Sequence, residues 1–272
     1  MIDDLSLGGP APSVNLRSVA LPTEHGGWSF LLEPVVLGLV LAPTWPGLLL
    51  GIAALLAFLA HQPLRLAFKD RFRGQRLPRT PYAERFAAGY LLGAGVAFTA
   101  SVLLAWQNGS LLFLLPLGLA VPLGAAQVWL NSRTRSRDLL AELAGASALG
   151  LLPVSLALLG GWSLLPASAL WGLVLARGLP AILYVRARLQ VERGKPVDQR
   201  LPAFAHLTAI VGAVGLAFAG LVGWTAIAAT ILLAVRSTIG LSKYRRRLRA
   251  TQIGFSEVAY GVITVALYAV GY

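Results

Sequence analysis

Apolar residues run in long blocks along the chain, and short polar stretches separate the blocks. A helix needs about 20 mainly apolar residues to cross the hydrocarbon core of a bilayer. Residues 1–20 are polar and rich in glycine and proline, and they predict a flexible tail ahead of a single polytopic domain at 21–272. Within that domain the blocks predict about nine transmembrane helices, at 25–42, 46–62, 86–106, 110–130, 139–160, 163–185, 203–220, 223–241 and 254–271.

The composition agrees with an all-α integral membrane protein. Hydrophobic residues make up 57% of the 272 residues and charged residues only 12%. A soluble domain carries about 25% charged residues, so this chain has too few polar side chains to cover a water-facing surface. The chain contains no cysteine, which excludes disulfides, iron–sulfur clusters and cysteine-based zinc sites.

Positive charge lies on alternate loops. The loops after predicted helices 1, 3, 5 and 7 are short and uncharged, whereas the loops after helices 2, 4, 6 and 8 hold nearly all the lysine and arginine. Because cytoplasmic loops are rich in these residues, we expect the basic loops and the N-terminus in the cytoplasm, with the chain in the inner (plasma) membrane. The net charge of +12 then reflects topology and attraction to anionic lipids. Nucleic acid is not expected as a partner, because the basic loops have few aromatic residues for base stacking.

Several ionisable residues fall within the predicted helices. A charged side chain at mid-bilayer costs at least about 2.5–3.5 kcal/mol, which makes each one a functional candidate. Glu33 lies near the middle of helix 1 and Arg177 lies inside helix 6, where the two can pair with one another. The other candidates lie nearer the cytoplasmic helix ends: His25, Glu142, His206, Arg236 and Glu257. We expect a polar cavity open to the cytoplasm, although a structural ion pair, helix-dipole contacts and interfacial hydrogen bonds remain alternatives.

The segments after predicted helices 2 and 6 resemble each other. Both run from an apolar helix into alternating basic and apolar positions, and both contain Gln-Arg-Leu-Pro, at 75–78 and 199–202. This echo predicts either two repeated halves that meet at a site or two loops that follow the same charge rule. Four cations of these segments are candidates to bind a phosphate or a lipid headgroup: Arg65, Lys69, Arg186 and Arg188.

Three stretches carry a resemblance to a known family. They are LPTEHGGWSFLLEPVVLGL at 21–39, RTPYAERFA at 79–87 and ARGLPAILYVRARL at 176–189. In these stretches the chain resembles the YwiC-like family of bacterial polytopic membrane proteins. The resemblance implies a multi-pass membrane protein and specifies no activity.

The architecture is also similar to the UbiA superfamily of intramembrane prenyltransferases, which have nine helices and polar loops after helices 2 and 6. This resemblance implies a UbiA-like helical bundle in which acidic residues hold a prenyl diphosphate through Mg²⁺. The metal ligands would be Asp70, Glu192 and Asp198, and the catalytic residues would be Glu33, Asp70, Glu142 and Glu192. The chain departs from the superfamily's Asp-rich motif, since Pro63 and Leu66 stand at two of its acidic or amide positions. Magnesium is therefore expected only if that chemistry is retained.

Three functions remain open from the sequence. The first is binding of an isoprenoid, a quinone or another lipid in the cytoplasm-facing cavity, without catalysis. The second is a UbiA-like transferase that acts on a prenyl diphosphate. The third is a transporter, for which Glu33 and Arg177 lie near the necessary depth. The sequence identifies no protein partner.

Overall fold

The structure is a computed structural model that describes residues 15–22, 25–133 and 139–272. Every regular element in these residues is an α-helix, as the sequence predicts. The helices are α1 (Leu16–Ala20), α2 (His25–Leu41), α3 (Trp45–Phe72), α4 (Thr80–Gln107), α5 (Leu114–Arg133), α6 (Leu139–Leu149), α7 (Leu152–Leu159), α8 (Leu164–Glu192), α9 (Arg200–Phe218), α10 (Thr225–Leu241) and α11 (Ala250–Val270).

The helices are those of a multi-pass membrane protein. Six of them are long and apolar enough to cross a bilayer: α3, α4, α8, α9, α11 and the pair α6–α7 taken together. Three shorter apolar helices cover Trp28–Leu41, Leu114–Leu130 and Thr225–Leu241. The count of nine spans, the direction of the chain through the bilayer and the identity of the membrane stay predictions.

Two long helices continue past the ends of their predicted spans. The hydropathy pattern marks where the chain leaves the hydrocarbon, whereas the helix continues until its hydrogen-bond pattern is broken. The breaks come at Gly74 and Gly194, which have φ of 63° and 73°, a conformation that glycine adopts without strain and that commonly ends helices. The placement of six site candidates in loops is therefore wrong: Arg65, Lys69 and Asp70 lie in α3, and Arg186, Arg188 and Glu192 lie in α8.

The fifth predicted helix is interrupted in its middle, where α6 gives way to α7. Pro153 lies in the first turn of α7, and it has no N–H to continue the hydrogen-bond ladder. The Leu151 N–H bonds to the Ala148 carbonyl at 3.2 Å instead of to the Ser147 carbonyl four residues back. Trp171 Nε1 on α8 donates to the Ser147 carbonyl at 3.0 Å. A side chain therefore satisfies a carbonyl that the interruption frees.

The short helix α1 lies in the segment that the sequence predicts as a flexible tail. Asn15 caps it, since its side chain accepts a hydrogen bond from the Ser18 N–H at 3.4 Å. Residues 1–14 of that predicted tail lie outside the described residues.

The chain divides into two compact units, one of Met1–Glu24 with Ile52–Phe98 and one of His25–Gly51 with Thr99–Tyr272. The second unit contains an apolar core to which α2, α7, α8, α10 and α11 contribute buried side chains. Close packing of α2 on α7 requires glycine at position 38, because a Cβ there would lie 2.5 Å from Leu156 Cδ1. This packing fixes where Glu33, five positions earlier on α2, lies along the helix axis relative to α7.

A buried charged cluster as the candidate functional site

Four charged side chains meet inside the second unit. They are Glu33 from α2, Arg177 from α8, Arg236 from α10 and Glu257 from α11, and we call them the charged cluster. Arg177 and Arg236 are each 6% exposed, and the side chains of Glu33 and Glu257 are 18% and 13% exposed. Two positive and two negative groups give the cluster a formal charge of zero. Each of the four helices contributes one buried charge, and a neighbouring charge of opposite sign offsets part of the free-energy cost of burying it.

Within the cluster, the contacts differ in length. Arg236 Nη1 lies 2.7 Å from Glu257 Oε1 and 2.6 Å from Glu257 Oε2. Arg177 Nη2 lies 3.3 Å from Glu33 Oε1 and donates to the Glu257 backbone carbonyl at 3.1 Å. Arg177 Nη1 lies 3.7 Å from Glu257 Oε2. Glu33 is therefore held by the longer contact, and Arg177 links the two carboxylates.

Aromatic rings flank the cluster on the side of Arg236. The Arg236 guanidinium carbon lies 4.3 Å from the ring centre of Tyr184 and 5.2 Å from that of Tyr260. The negative faces of aromatic rings attract guanidinium groups. The two rings therefore stabilise Arg236, whose Nε and Nη2 have no hydrogen-bond acceptor among the residues described.

Beside the cluster lies a recess with mostly apolar walls. Glu33 and Arg177 line it together with Phe30, Pro34 and Val174, and its volume of 290 Å³ includes space open to the exterior. Its enclosed part has room for about one water molecule, which is much smaller than the usual pocket for a drug-sized ligand. Arg177 Nε is buried and has no hydrogen-bond acceptor in the described part of the chain. The recess therefore has room for one small polar group, the size of a single oxygen atom.

Glycine in α11 lets this helix approach Glu33. A Cβ at Gly261 would overlap the Glu33 carboxylate. Gly261 lies one turn after Glu257, so both positions occupy the same face of α11. The backbone of α11 therefore fixes the position of the Glu33 carboxylate from one side.

Of the two histidine candidates, His206 has a described side chain and His25 does not. His206 lies in α9, is 4% exposed, and its Nδ1 is 2.8 Å from the Pro202 carbonyl. Because a carbonyl only accepts, Nδ1 carries the proton, and Nε2 has no partner among the described residues. His25 begins α2, but its side chain lies outside the described residues.

Glu142 pairs with Arg186 at the start of α6. Arg186 Nη1 lies 3.0 Å from Glu142 Oε2, and the two side chains are 34% and 33% exposed. A partly exposed pair of this kind contributes about 0–1 kcal/mol. Glu142 therefore pairs with Arg186 and is not a member of the charged cluster.

Asp70 and Asp198, two of the expected metal ligands, already have partners. Asp70 is 1% exposed, and Arg79 donates to its two oxygens at 2.8 and 3.2 Å while Thr80 Oγ1 donates at 2.9 Å. Asp198 Oδ1 accepts from the Arg200 N–H at 2.8 Å. Among the described residues no three histidine or acidic side chains form a group that could hold a metal ion. These residues do not fit the magnesium site that the prenyltransferase resemblance implies.

Glu192, the third expected ligand, belongs to a structural contact at the end of α8. Its Oε1 lies 2.9 Å from Arg188 Nη2 and 3.8 Å from Arg245 Nε. Arg188 is 2% exposed and also donates to the backbone carbonyls of Gly240 and Arg246. Arg188 therefore fastens α8 to the end of α10 and the segment that follows it.

Arg65 and Lys69 are exposed on α3 in the first unit. Arg65 Nη2 donates to Gln62 Oε1 at 3.1 Å, and Gln62 Nε2 in turn donates to the Ser18 carbonyl at 3.4 Å. That these two cations bind lipid headgroups remains a prediction.

Sequence reasoning missed Tyr184 as a site residue and left Arg236 without a role. One signal was present for Tyr184, which follows Arg177 by seven positions and so shares its face of α8. No local signal pairs Arg236 with Glu257, because their contact depends on how α10 and α11 pack. The extent of the cluster therefore became visible only in three dimensions.

The helices and the buried cluster define a multi-pass membrane protein with a charged site inside its helix bundle. The family model described as YwiC-like protein matches residues 21–157, and the chain belongs to this family. Glu33 lies within the matched range, whereas Arg177, Arg236 and Glu257 follow it. No curated protein and no solved structure matched the chain.

Proposed function

We propose that this YwiC-like protein binds a membrane-soluble small molecule, such as an isoprenoid, a quinone or another lipid, with the headgroup at the charged cluster. The observation that carries the proposal is Arg177, which is 6% exposed, lines the recess and has an N–H without an acceptor among the described residues. Buried donors are nearly always satisfied, so a ligand or water is needed to complete this one.

The walls of the recess support a lipid-soluble ligand. Phe30, Pro34 and Val174 offer apolar contacts beside the charged groups, a combination typical of small-molecule sites. In this proposal the recess is reached from the cytoplasmic half of the inner membrane, in keeping with the orientation that the basic loops predict.

Transport is the second candidate function. The interruption between α6 and α7 lies near the recess, since Ala146 of α6 is among the lining residues. Discontinuous helices commonly form the substrate sites of secondary transporters. Prenyl transfer has less support, because both oxygens of Asp70 are engaged by Arg79.

The proposal is tested by identifying lipids that co-purify with the full chain. We compare the wild type with Arg177→Lys, which keeps the positive charge and removes Nε, and with Arg186→Gln as a control on the same helix. The wild type and Arg186→Gln should retain one lipid-soluble compound that Arg177→Lys loses. Identical lipids in all three preparations, each confirmed as folded by circular dichroism, would overturn the proposal.

Flux into proteoliposomes separates binding from transport. Binding alone predicts retention of the compound with no protein-dependent flux. Flux that disappears in Glu33→Gln would favour the transporter.

A further inference from the structure

We infer that two basic segments of the second unit form one site for a membrane lipid whose headgroup carries two phosphates. The segments are 193–200, from the end of α8 to the first residue of α9, and 242–249, which joins α10 to α11. Together we call them the basic platform. The inference is independent of the ligand proposed for the charged cluster, because no member of that cluster belongs to the platform.

Hydrogen bonds hold the two segments of the platform together. Gln199 Nε2 donates to the Leu241 carbonyl at 3.0 Å, which links the residue before α9 to the end of α10. The buried side chain of Arg188, near the end of α8, donates to the backbone carbonyl of Arg246. The backbone that carries both sets of cations is therefore already positioned, which lowers the cost of ordering it when a ligand binds.

The positive charge of the platform is not neutralised by acids. Its exposed cations include Arg193, Lys195 and Arg200 on the first segment and Lys243, Arg246 and Arg247 on the second. No acid in the described part of the chain forms an ion pair with any of these six. Of the nearby acids, Glu192 lies 2.9 Å from Arg188 Nη2, and Asp198 accepts from the Arg200 N–H.

The distribution of the cations favours a headgroup with two phosphates. Each segment supplies several cations, and guanidinium groups match the geometry of phosphate oxygens. One phosphate can therefore be bound at each segment. A lipid that carries both phosphates engages the two segments at once, and its second phosphate is held close to its site by the first.

The surroundings of the platform favour a lipid over an acidic protein. The helices α9 and α11, which begin at the platform, are long and apolar enough to cross a bilayer. Tyr244 in the platform is 82% exposed, and Phe204 and Phe255, near the starts of these helices, are 64% and 71% exposed. Basic residues beside exposed aromatic rings are typical of the layer where helices leave the hydrocarbon. Lipid phosphates occupy that layer, and basic sites between membrane helices bind such headgroups.

The test compares cardiolipin, which has two phosphates, with phosphatidylglycerol, which has one, at equal phosphate concentration. Native mass spectrometry of the full chain released from detergent micelles measures the affinity for each lipid. The wild type should bind cardiolipin about tenfold more tightly or better, because the second phosphate binds within one complex. The variant Arg246→Gln/Arg247→Gln should lose this preference. The matched control Arg73→Gln/Arg76→Gln removes two exposed cations from the single segment between α3 and α4 and should keep it.

Equal affinities of the wild type for the two lipids, or equal losses of preference in the two double variants, would overturn the inference. Tighter binding of a polyglutamate peptide than of cardiolipin would also overturn it, since that result would indicate an acidic protein segment as the partner. The compound that Arg177→Lys loses should be retained by Arg246→Gln/Arg247→Gln, so this inference and the proposed function can fail separately.

Discussion

Replacing Arg236 by glutamine removes the group that binds both oxygens of Glu257, at 2.7 and 2.6 Å. The two side chains are 4% and 13% exposed, so water cannot readily replace the lost contact. Glu257 keeps Arg177 Nη1 at 3.7 Å. The cluster nevertheless changes from a formal charge of zero to −1, which leaves a buried negative charge without a full partner.

The expected loss of stability follows from this geometry. Removing one member of a buried ion pair costs about 3–5 kcal/mol, and we expect about 3 kcal/mol because Arg177 remains near Glu257. Glu257→Gln should cost a similar amount, since it leaves the charge of Arg236 uncompensated. The double variant removes both charges together and should cost less than the sum of the single variants, by about 1–3 kcal/mol.

The assay is a double-mutant cycle on unfolding in mixed detergent micelles. The partly exposed pair Glu142–Arg186, whose side chains are 33% and 34% exposed, is the matched control, with an expected coupling of about 0–1 kcal/mol. Additive effects of Arg236→Gln and Glu257→Gln, or a coupling no larger than that of the control pair, would refute the reasoning.

Two further substitutions test the packing around the site and the structural role of Asp70. Gly261→Ala should destabilise the protein by about 1–3 kcal/mol, as overpacking does, and should lower ligand retention, because a Cβ there would overlap the Glu33 carboxylate. The control is Gly254→Ala on the same helix, which should be neutral or stabilising because the space around its Cβ is open. Equal shifts in melting temperature for the two variants would contradict this prediction. Asp70→Asn should lower the free energy of unfolding by about 2 kcal/mol, because it weakens the contacts with Arg79 at 2.8 and 3.2 Å. It should also speed proteolysis between α3 and α4. Unchanged melting and cleavage would show that the ion pair does not hold this segment.

The membrane class of the protein could be predicted from the sequence because runs of apolar residues are a local property. The exact ends of α3 and α8 could not, because hydropathy reports the hydrocarbon boundary and not the last hydrogen bond of a helix. The interruption at 150–151 was also missed. Its signals, Gly150 and Pro153, lie within an apolar run, and a hydropathy window averages over them.

The site was only partly accessible from the sequence. Glu33 and Arg177 stand out because charged residues inside apolar segments are rare, and the structure places them 3.3 Å apart. The link from Arg236 to Glu257 and Tyr184 depends on the rotation of three helices about their axes, which no local pattern specifies. The acids expected to hold a metal could not be judged from the sequence either, because their partners, such as Arg79 for Asp70, are visible only in the folded chain.

The convergence of buried charges on one cluster is tested most directly by an experimental structure of the full chain in a lipid nanodisc, with an antibody fragment to aid alignment. We predict that the carboxylates of Glu33 and Glu257 lie within hydrogen-bond reach of Arg177 and Arg236, with density for a headgroup next to Arg177 Nε. Carboxylates of Glu33 and Glu257 that point to lipid on separate faces of the bundle would contradict the account.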